Sequence, residues 1–388
     1  MWACCYNPPT DYHIMTAPSP YSIHNPNLQL VWDSTSLRAL QFCPRSYQYG
    51  MLQGWRGSAV DLEFGIYFAN GVETYKNARL DGLSRDDAQL LALRKVVEES
   101  WLDHYLPRSQ EEQDTGYPWG GTYEAQWRCE GTEPYKNKKG NKAKCPYSHK
   151  GIWHPAPAPH TCGECGSATE TVVRYQPGDK IKNRHSLVRL IVWYIEEQSE
   201  DMSSGMHPYK FPNGKAAVEL SFKYPLQLKN KYGETYILAG HLDSIMTNGV
   251  ENFISDNKST KNTISAAYWK QFSPNTQVDI YDMSGSLLYP ELNLKGVLIE
   301  AAQIMIDGAR FASQPFYRNE SQRQELLDDL TFWINLAEKF AEENYWPMNR
   351  VNCKMCAYNG ICNKEPAKRD MYLKADFKQQ KWNPLLER

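Results

Sequence analysis

The chain has 388 residues, 41% of them apolar and 13% aromatic, which is an ordinary globular composition and excludes extensive disorder. Its formal net charge of −2 excludes a uniformly basic surface, so any contact with phosphates must come from local patches. No apolar stretch approaches the roughly 18 residues that cross a bilayer, and no signal peptide is visible, so we expect a cytoplasmic protein without a membrane partner.

Changes in composition along the chain predict five segments. Residues 1–30 are rich in Pro, Asn and Tyr and predict an extended arm, and residues 31–114 show helical periodicity. Residues 115–175 are dominated by Gly, Pro, Lys, Cys and His, which indicates an inserted module. Residues 176–310, the expected core, carry a helix signal, several strand signals, a second helix signal and a further strand signal. Residues 311–388 are a helical region that contains a cysteine cluster. This order of elements predicts a mixed α/β fold.

The strand signals centre on the segment GHLDSIMTNGVENFISDNKST. Its dipeptide Asn248-Gly249 is suited to a two-residue hairpin turn, because both central positions need a positive φ. The apolar runs on either side are therefore predicted to pair as strands. Asp243 lies near the end of the first strand, and on the second strand Asp256 and Lys258 are two residues apart and point to the same face.

Two helix starts are predicted from capping residues. Ser34 or Ser36 is the expected N-cap of the helix that carries LRALQFCPRSYQYG. Ser273-Pro274 is the expected cap and first turn of the helix that carries TQVDIYDMS. Strands over KAAVELSFKYPL and KGVLIEAAQIM, and a long helix over QRQELLDDLTFWINLAEKFAEENY, are also expected.

The two aspartates and the lysine indicate divalent-metal chemistry. Carboxylates on adjacent strands can hold Mg²⁺ or Mn²⁺, and a nearby lysine can stabilise charge that develops on a phosphate. Taken alone, Asp-x-Lys on a strand is more often a solvated sheet edge. The following helix adds Gln277 and Tyr281, which lie four residues apart and therefore on one face.

The combination resembles the RecB-like branch of the PD-(D/E)XK nuclease superfamily, which includes CRISPR-associated iron–sulphur exonucleases and the AddB nuclease domain. The matching stretches are FGIYFANGVE, GHLDSI, DNKST and QVDIY, in that order. The resemblance implies a restriction-endonuclease-like core, a mixed central sheet flanked by helices, with an iron–sulphur clasp. The expected fold also carries an inserted zinc-binding module, which lies outside the resemblance and is predicted from cysteine spacing. It also implies a metal-dependent DNA exonuclease of a prokaryotic or phage-infected cell, acting in repair, recombination or replication, with a helicase or recombination partner.

The resemblance assigns roles to the central residues. Asp243 and Asp256 would be ligands of Mg²⁺ or Mn²⁺, and the backbone carbonyl of Asn257 would contribute a further donor. Lys258 would be the catalytic lysine. DNA, as single strands or duplex ends, would be the substrate.

Three other residues belong to the implied site, and a fourth position departs from its pattern. Gln277 and Tyr281 would hold DNA or brace the site, and Glu73 ends the helical motif. That motif usually reads Gly-x-x-x-His-x-x-x-Glu with a metal-binding histidine, and here Ala69 occupies the histidine position. Glu73 is one candidate for a substitute donor. Glu219, in the strand-like VELSF, taken alone is interpreted as an ordinary surface or capping residue. Because Ala69 offers no ligand atom, a catalytically weak or inactive DNA-binding accessory protein is the alternative function.

The terminal cysteines predict a second metal centre. Cys353, Cys356 and Cys362 place three soft ligands in one loop, and Cys43 is the candidate fourth ligand. The resemblance implies a [4Fe–4S] cluster here, because its iron–sulphur members place one such cysteine before the core and three after it. A structural Zn²⁺ is the alternative, since four thiolates suit either metal.

The inserted module predicts a third centre, outside the region of resemblance. Cys129 and Cys145, with the knuckle Cys162-Gly-Glu-Cys165-Gly, are expected to bind Zn²⁺ tetrahedrally. Three histidines could replace one of these ligands: His149, His154 and His160. A scaffold stabilised by zinc and cysteines, with no nucleic-acid role, is a further alternative reading of the chain.

A lysine-rich loop lies between the first two of these cysteines. It contains Lys136, Lys138, Lys139, Lys142 and Lys144. Such a loop can grip phosphates without reading sequence, or it can be an ordinary solvated loop. Both readings stay open at the level of the sequence.

Overall fold

The computed structural model describes residues 19–56, 60–105, 122–148, 154–155, 159–176, 181–197 and 205–386. Its α-helices are α1 (Ser34–Phe42), α2 (Pro44–Tyr47), α3 (Val60–Leu80), α4 (Arg85–Tyr105), α5 (Arg184–Glu197), α6 (Ala266–Trp269), α7 (Thr276–Leu288), α8 (Glu320–Glu342), α9 (Asn359–Cys362) and α10 (Arg369–Asp376). A π-helical turn covers Gln48–Leu52, and 3₁₀ turns cover Pro146–Ser148, Lys270–Phe272, Pro290–Leu292, Arg350–Met355 and Pro366–Lys368.

The strands are β1 (Val31–Trp32), β2 (Trp55–Arg56), β3 (Thr122–Cys129), β4 (Tyr135–Lys136), β5 (Lys142–Ala143), β6 (His154–Pro155), β7 (Thr169–Gln176), β8 (His207–Pro208), β9 (Val218–Lys229), β10 (Thr235–Thr247), β11 (Asn252–Thr260), β12 (Val297–Ile304), β13 (Ala309–Phe316) and β14 (Lys378–Gln379).

A mixed seven-stranded sheet organises the described part of the chain. Its main path runs β1-β10-β11-β12-β13, and β8 and β9 also pair with β10. β10 and β11 are antiparallel, whereas β11 and β12 are parallel, so the long connection through α6 and α7 is a crossover. The predicted mixed α/β fold is confirmed.

Helices cover both faces of this sheet because each presents an apolar stripe. On one face, Val278 of α7 and Leu330 of α8 pack with Ile254 of β11. On the other face, Phe64 and Phe68 of α3 share a core with the residues that α4, α5 and β12 contribute to it. Their spacing of one helical turn is what an amphipathic helix needs to bury one side. No helix among the described residues is long and apolar enough to cross a membrane.

The hairpin strands are confirmed, but the predicted two-residue turn is wrong. Thr247 and Asn252 form the last pair, so residues 248–251 make a four-residue loop. The Asn248 side chain explains the longer loop, because its Oδ1 accepts from the backbone N–H groups of Val250 and Glu251 at 2.9 and 2.8 Å. Only Gly249 takes the positive φ, of 84°.

Both predicted helix caps are also wrong by a few residues. The N-cap of α1 is Asp33, whose carboxylate accepts from the N–H of Ser36 at 2.9 Å, so Ser36 is the third helical residue and completes a capping box. The N-cap of α7 is Asn275, which follows Ser273-Pro274. In both cases the side chain of a neighbouring Asp or Asn caps the helix in place of the predicted serine: Asp33 next to Ser34, and Asn275 after Ser273-Pro274.

The predicted insert, residues 115–175, contains short antiparallel pairs where it is described. β3 pairs with β6 and with β7, and β4 pairs with β5 as a small hairpin. Residues 115–121 of the insert, and residues 1–18 of the predicted amino-terminal arm, lie outside the described part of the chain.

Candidate functional site

The structure brings the two aspartates and the lysine together on β10 and β11. Ser244 pairs with Ser255, so Asp243 and Asp256 are the next residues along the two strands. The N–H of Asn257 donates to Asp243 Oδ2 at 3.1 Å, which fixes that carboxylate against β11. The antiparallel pairs from Ser244–Ser255 to Thr247–Asn252 set this register.

Lys258 is held between an acid and an amide. Its Nζ lies 2.8 Å from Asp256 Oδ1 and 2.7 Å from Oδ2, and it also donates to Gln277 Oε1 at 3.1 Å. The Gln277 Nε2 donates in turn to the hydroxyl of Tyr281 at 3.0 Å. The pair predicted on one face of α7 therefore braces the lysine.

The Asp256 carboxyl is difficult to ionise in this surrounding. It is 2% exposed, and burial raises its pKa to about 7. The ammonium of Lys258 acts in the opposite direction, whereas the neighbouring Asp243 raises the pKa further. Two like-charged carboxyls in one buried place favour a proton or a cation between them.

One face of α3 closes the site from the other side of the sheet. Ala69, Glu73 and Lys76 follow each other by about one turn and line a cavity of about 10 Å³, roughly the room that one water molecule needs. Residues of the sheet complete its wall: Val218, Glu219, Asp243, Ser244 and Asn257. Glu73 therefore shares a cavity with Asp243 and Asn257, whereas Asp256 and Lys258 are not part of its lining. The position expected to hold histidine, Ala69, presents only a methyl group there.

Sequence analysis missed a buried ion pair beside this cavity. Lys76 Nζ lies 3.2 Å from Glu300 Oε2, and the two side chains are 7% and 9% exposed. The hydroxyl of Ser255 donates to the same carboxylate oxygen. The signal available was Glu300 itself, the one acid in the strand VLIEAAQI, whose only other polar side chain is Gln303. Its partner on a distant helix could not be read from the sequence.

The inserted cysteines form a group that can hold a metal ion. The sulphur atoms of Cys129, Cys145, Cys162 and Cys165 all lie within 4.8 Å of one another. Cys129 and Cys165 are 3.2 Å apart, and Cys145 and Cys162 are 3.7 Å apart. Tetrahedral Zn²⁺ with bonds of about 2.3 Å places its thiolates about 3.8 Å apart.

Burial and hydrogen bonds shift the thiol pKa values of this group in opposite directions. The N–H of Gly131 points at Cys129 Sγ at 3.2 Å. Burial raises the pKa of Cys145 to about 12. Burial acts the same way on Cys165, but hydrogen bonding with Ser167 outweighs it and lowers the pKa of that thiol to about 7. A bound cation would lower the pKa values of all four thiols, since the thiolate is the form that binds metal.

The alternative histidine ligands do not join this group among the described residues. His154 packs against the rings of Trp127 and Tyr147, with centroids 5.1 and 4.8 Å away. His160 is exposed, and His149 lies outside the described residues. Trp127 and Tyr147 also stack on each other, with centroids 5.6 Å apart, so these rings and His154 form a small aromatic cluster beside the cysteines.

The terminal cysteines lie near one another but less tightly. Asn349 donates from its N–H to Cys43 Sγ at 3.3 Å, and from its side chain to the carbonyl of Phe42 at 3.1 Å. Asn352 donates to the same carbonyl at 2.7 Å. The segment that carries Cys353 is therefore fastened to the end of α1.

The pKa shift of Cys362 and the packing around it also indicate that the terminal cysteines lie close to one another. Cys356 and Cys362 pack around Tyr49 and Tyr358, and burial raises the pKa of Cys362, with Cys356 and Cys43 close enough to raise it further. Among the described residues, only the inserted cysteines form a group of three or more ligand atoms within 4.8 Å. A cubane iron–sulphur cluster is larger than a single ion, so it needs its thiolates farther apart.

Comparison with known proteins leaves the family open. No family model matches the chain, and no curated protein matches it significantly. A solved structure titled "Crystal structure of SSO0001" is similar over 38% of this chain at 15% identity, with a TM-score of 0.23. The match spans 59% of that structure, and at this score it carries no argument about fold or function.

Proposed function

We propose that the protein is a metal-dependent DNA nuclease of the RecB-like PD-(D/E)XK type, with a restriction-endonuclease-like core and exonuclease activity. The observation that supports this best is the convergence of Asp243, Asp256 and Lys258 at the junction of β10 and β11. A buried acid, a second acid and a lysine in one place are costly without a chemical use.

The side chains fit a hard divalent cation. All the nearby donors are oxygens, and the Oδ1 of Asn257 and the Oγ of Ser244 are buried without a hydrogen-bond partner among the described residues. Mg²⁺ and Mn²⁺ prefer such oxygen ligands. Asp243, Asp256 and the Asn257 carbonyl would hold the ion.

The contacts suggest a separate role for the metal ion, for Lys258 and for Gln277. The ion, when bound, would polarise the phosphate and lower the pKa of a water nucleophile. Lys258 would stabilise the charge that develops on the phosphate oxygens. Gln277, anchored on Tyr281, keeps the ammonium group beside the Asp256 carboxyl.

The remaining centres and partners belong to the same proposal. The inserted cysteines bind Zn²⁺, and Cys43, Cys353, Cys356 and Cys362 hold a [4Fe–4S] cluster, with Zn²⁺ as the alternative. The substrate is DNA, as single strands or duplex ends, and unwinding requires a helicase or recombination partner. Five exposed lysines of the insert, none of them in an ion pair with a described residue, suit its phosphates.

Cleavage of labelled single- and double-stranded DNA with Mg²⁺ or Mn²⁺ tests the proposal. Lys258→Ala should lower the rate by at least a hundredfold, because the charge-stabilising group is removed. Lys229→Ala, an exposed lysine at the far end of β9, is the matched control and should cleave like the wild type. Equal rates in all three proteins would refute the mechanism.

One observation favours a second candidate, a DNA-binding accessory protein of the same fold with weak or no activity. The methyl group of Ala69 lines the cavity where the resemblance expects a histidine. Metal-independent DNA binding without cleavage by the wild type would establish this candidate.

A further inference from the structure

We infer that the cleft between α6 and β13 binds a nucleotide of single-stranded DNA next to the cleavage site, with Trp269 stacked on the base and Lys270 on a phosphate. This inference rests on the proposed function, because it names a contact of the same substrate. It assigns a role to residues that neither the motif stretches nor the resemblance includes.

The cleft has the size and the lining of a ligand site. Its volume is about 490 Å³, within the roughly 300–1,000 Å³ of pockets that bind small molecules. The residues that line it are Ala266, Trp269, Lys270, Ser273, Gln314 and Phe316. The cleft thus combines aromatic rings with a cation and an amide, which is what single-stranded nucleic acid needs, because bases stack on rings and phosphates attract cations.

The sheet places this cleft beside Asp256. Asp256 of β11 pairs with Ile299 of β12, and Ile299 pairs with Gln314 of β13. Residues paired across a sheet point to one face and neighbouring strands lie about 4.8 Å apart, so Gln314 is roughly 10 Å from Asp256 on the same face. Burial, together with the charge of Asp256, raises the pKa of Tyr268, the residue before Trp269, to about 12. Helix α6 is therefore close enough to contact a strand that is cleaved at Asp256.

The ring of Trp269 is held in place but has no parallel partner among the described residues. It is half-buried and contacts the rings of Tyr268, Phe272 and Phe316 at interplanar angles of 75°, 48° and 45°. These tilted contacts fix the indole without stacking on it. A ring fixed in this way offers any base a stacking surface, because every base has a π-face.

The polar groups of the cleft are also available to a ligand. Lys270 is exposed and forms no ion pair within the described part of the chain, and the side chain of Gln314 makes no hydrogen bond there. Both can donate to phosphate oxygens or to base edges. None of the residues that line the cleft is acidic, so its wall does not repel a phosphate. This charge favours an anionic, aromatic ligand such as a nucleotide over a segment of protein.

Binding of two oligonucleotides tests the inference without depending on cleavage. The full-length protein, with its cysteine centres loaded and without added Mg²⁺ or Mn²⁺, is titrated into labelled oligothymidylate and into an abasic strand of the same length, and fluorescence anisotropy is followed. Trp269→Ala should bind oligothymidylate at least about fivefold more weakly, because a base loses its stacking partner, and should bind the abasic strand like the wild type. Lys270→Gln should weaken binding of both strands and make the slope of log K against log salt less steep by roughly 0.7.

Two further variants separate a stacking ring from a merely structural one. Trp269→Phe keeps an aromatic surface and should retain most of the affinity for oligothymidylate. Trp193→Ala, which removes a half-buried ring of α5 on the other face of the sheet, is the matched control and should bind both strands like the wild type.

The two strands also distinguish the ways in which the inference can fail. Equal affinity of Trp269→Ala and wild type for oligothymidylate, or an equal loss on both strands, would overturn it while metal-dependent cleavage by the wild type left the nuclease proposal standing. Equal affinity of the wild type for the two strands would overturn it as well and leave the cleft to a protein partner. Absence of DNA binding and of cleavage in the wild type would overturn both proposals.

Discussion

Two groups of side chains in the molecule are assembled in opposite ways: the four inserted cysteines, called here the sulphur centre, and the carboxyls around Asp243 and Asp256 on the sheet, called here the oxygen centre. The first brings four cysteine sulphurs together from one stretch of short strands and turns, from Cys129 to Cys165, where they can hold a metal ion. The second takes Asp243 and Asp256 from paired strands and adds Glu73 from a helix far away in the chain. The sulphur centre can organise its own module, whereas the oxygen centre depends on a finished sheet.

The largest expected effect is loss of the metal from the insert. Cys162→Ser removes one of four ligands, so we expect zinc to be lost and the insert to become sensitive to protease, because metal binding there is part of folding. Metal analysis and limited proteolysis measure this. His160→Ala, which changes an exposed alternative ligand, should keep its zinc. Unchanged zinc in Cys162→Ser would contradict a four-cysteine site.

The next effect concerns the scaffold of the oxygen centre. Lys76→Met leaves Glu300 buried without its cation, which should lower the free energy of unfolding by about 3–5 kcal/mol. The same substitution in the exposed pair, Lys95→Met beside Glu99, should cost about 1 kcal/mol or less. Denaturant unfolding of both variants gives the difference. Equal losses would show that the pair does not support the site.

The oxygen centre should also respond to pH. The pKa of Asp256 rises from 3.8 to about 7 on folding, so the native metal-free protein binds an extra proton between these values. Its stability should therefore fall as the pH rises from about 4 to about 7, and Mn²⁺ should restore it near pH 7. Thermal melts of wild type and Asp256→Asn check this. An equal slope in both proteins would contradict the assignment.

The smallest effect sharpens the role of the insert. Changing its five hairpin lysines to glutamine should weaken DNA binding. The slope of the logarithm of the binding constant against the logarithm of the salt concentration should become less steep by at most about 3.5 to 4.5, because each lysine contributes at most one phosphate contact. Fluorescence anisotropy at several salt concentrations measures the slope. The lysines changed are Lys136, Lys138, Lys139, Lys142 and Lys144. An unchanged slope would identify the loop as merely solvated.

Patterns that are local in the chain could be predicted from the sequence. The strands around Asn248-Gly249 follow from the apolar runs on either side of that dipeptide, and the cysteine spacing indicated the group of inserted cysteines. Turn length and caps were missed, because neighbouring Asx side chains such as Asn248 and Asn275 compete for the same backbone groups.

Contacts between distant segments could not be predicted in the same way. The Lys76–Glu300 pair and the position of Glu219 beside Asp243 depend on how α3 and β9 pack on the sheet. Neither residue type nor spacing reports such packing. The resemblance supplied Asp243, Asp256 and Lys258 in order, but it did not indicate the cleft between α6 and β13.

The most direct test of the central claim is the rate of Mn²⁺-dependent DNA cleavage under single-turnover conditions in wild type and Asp256→Asn. Our account predicts cleavage by the wild type that is abolished by chelation, and a rate at least a hundredfold lower in the variant, whose fold should be intact. Metal-dependent cleavage at the same rate in both proteins would contradict a nuclease site at Asp243, Asp256 and Lys258.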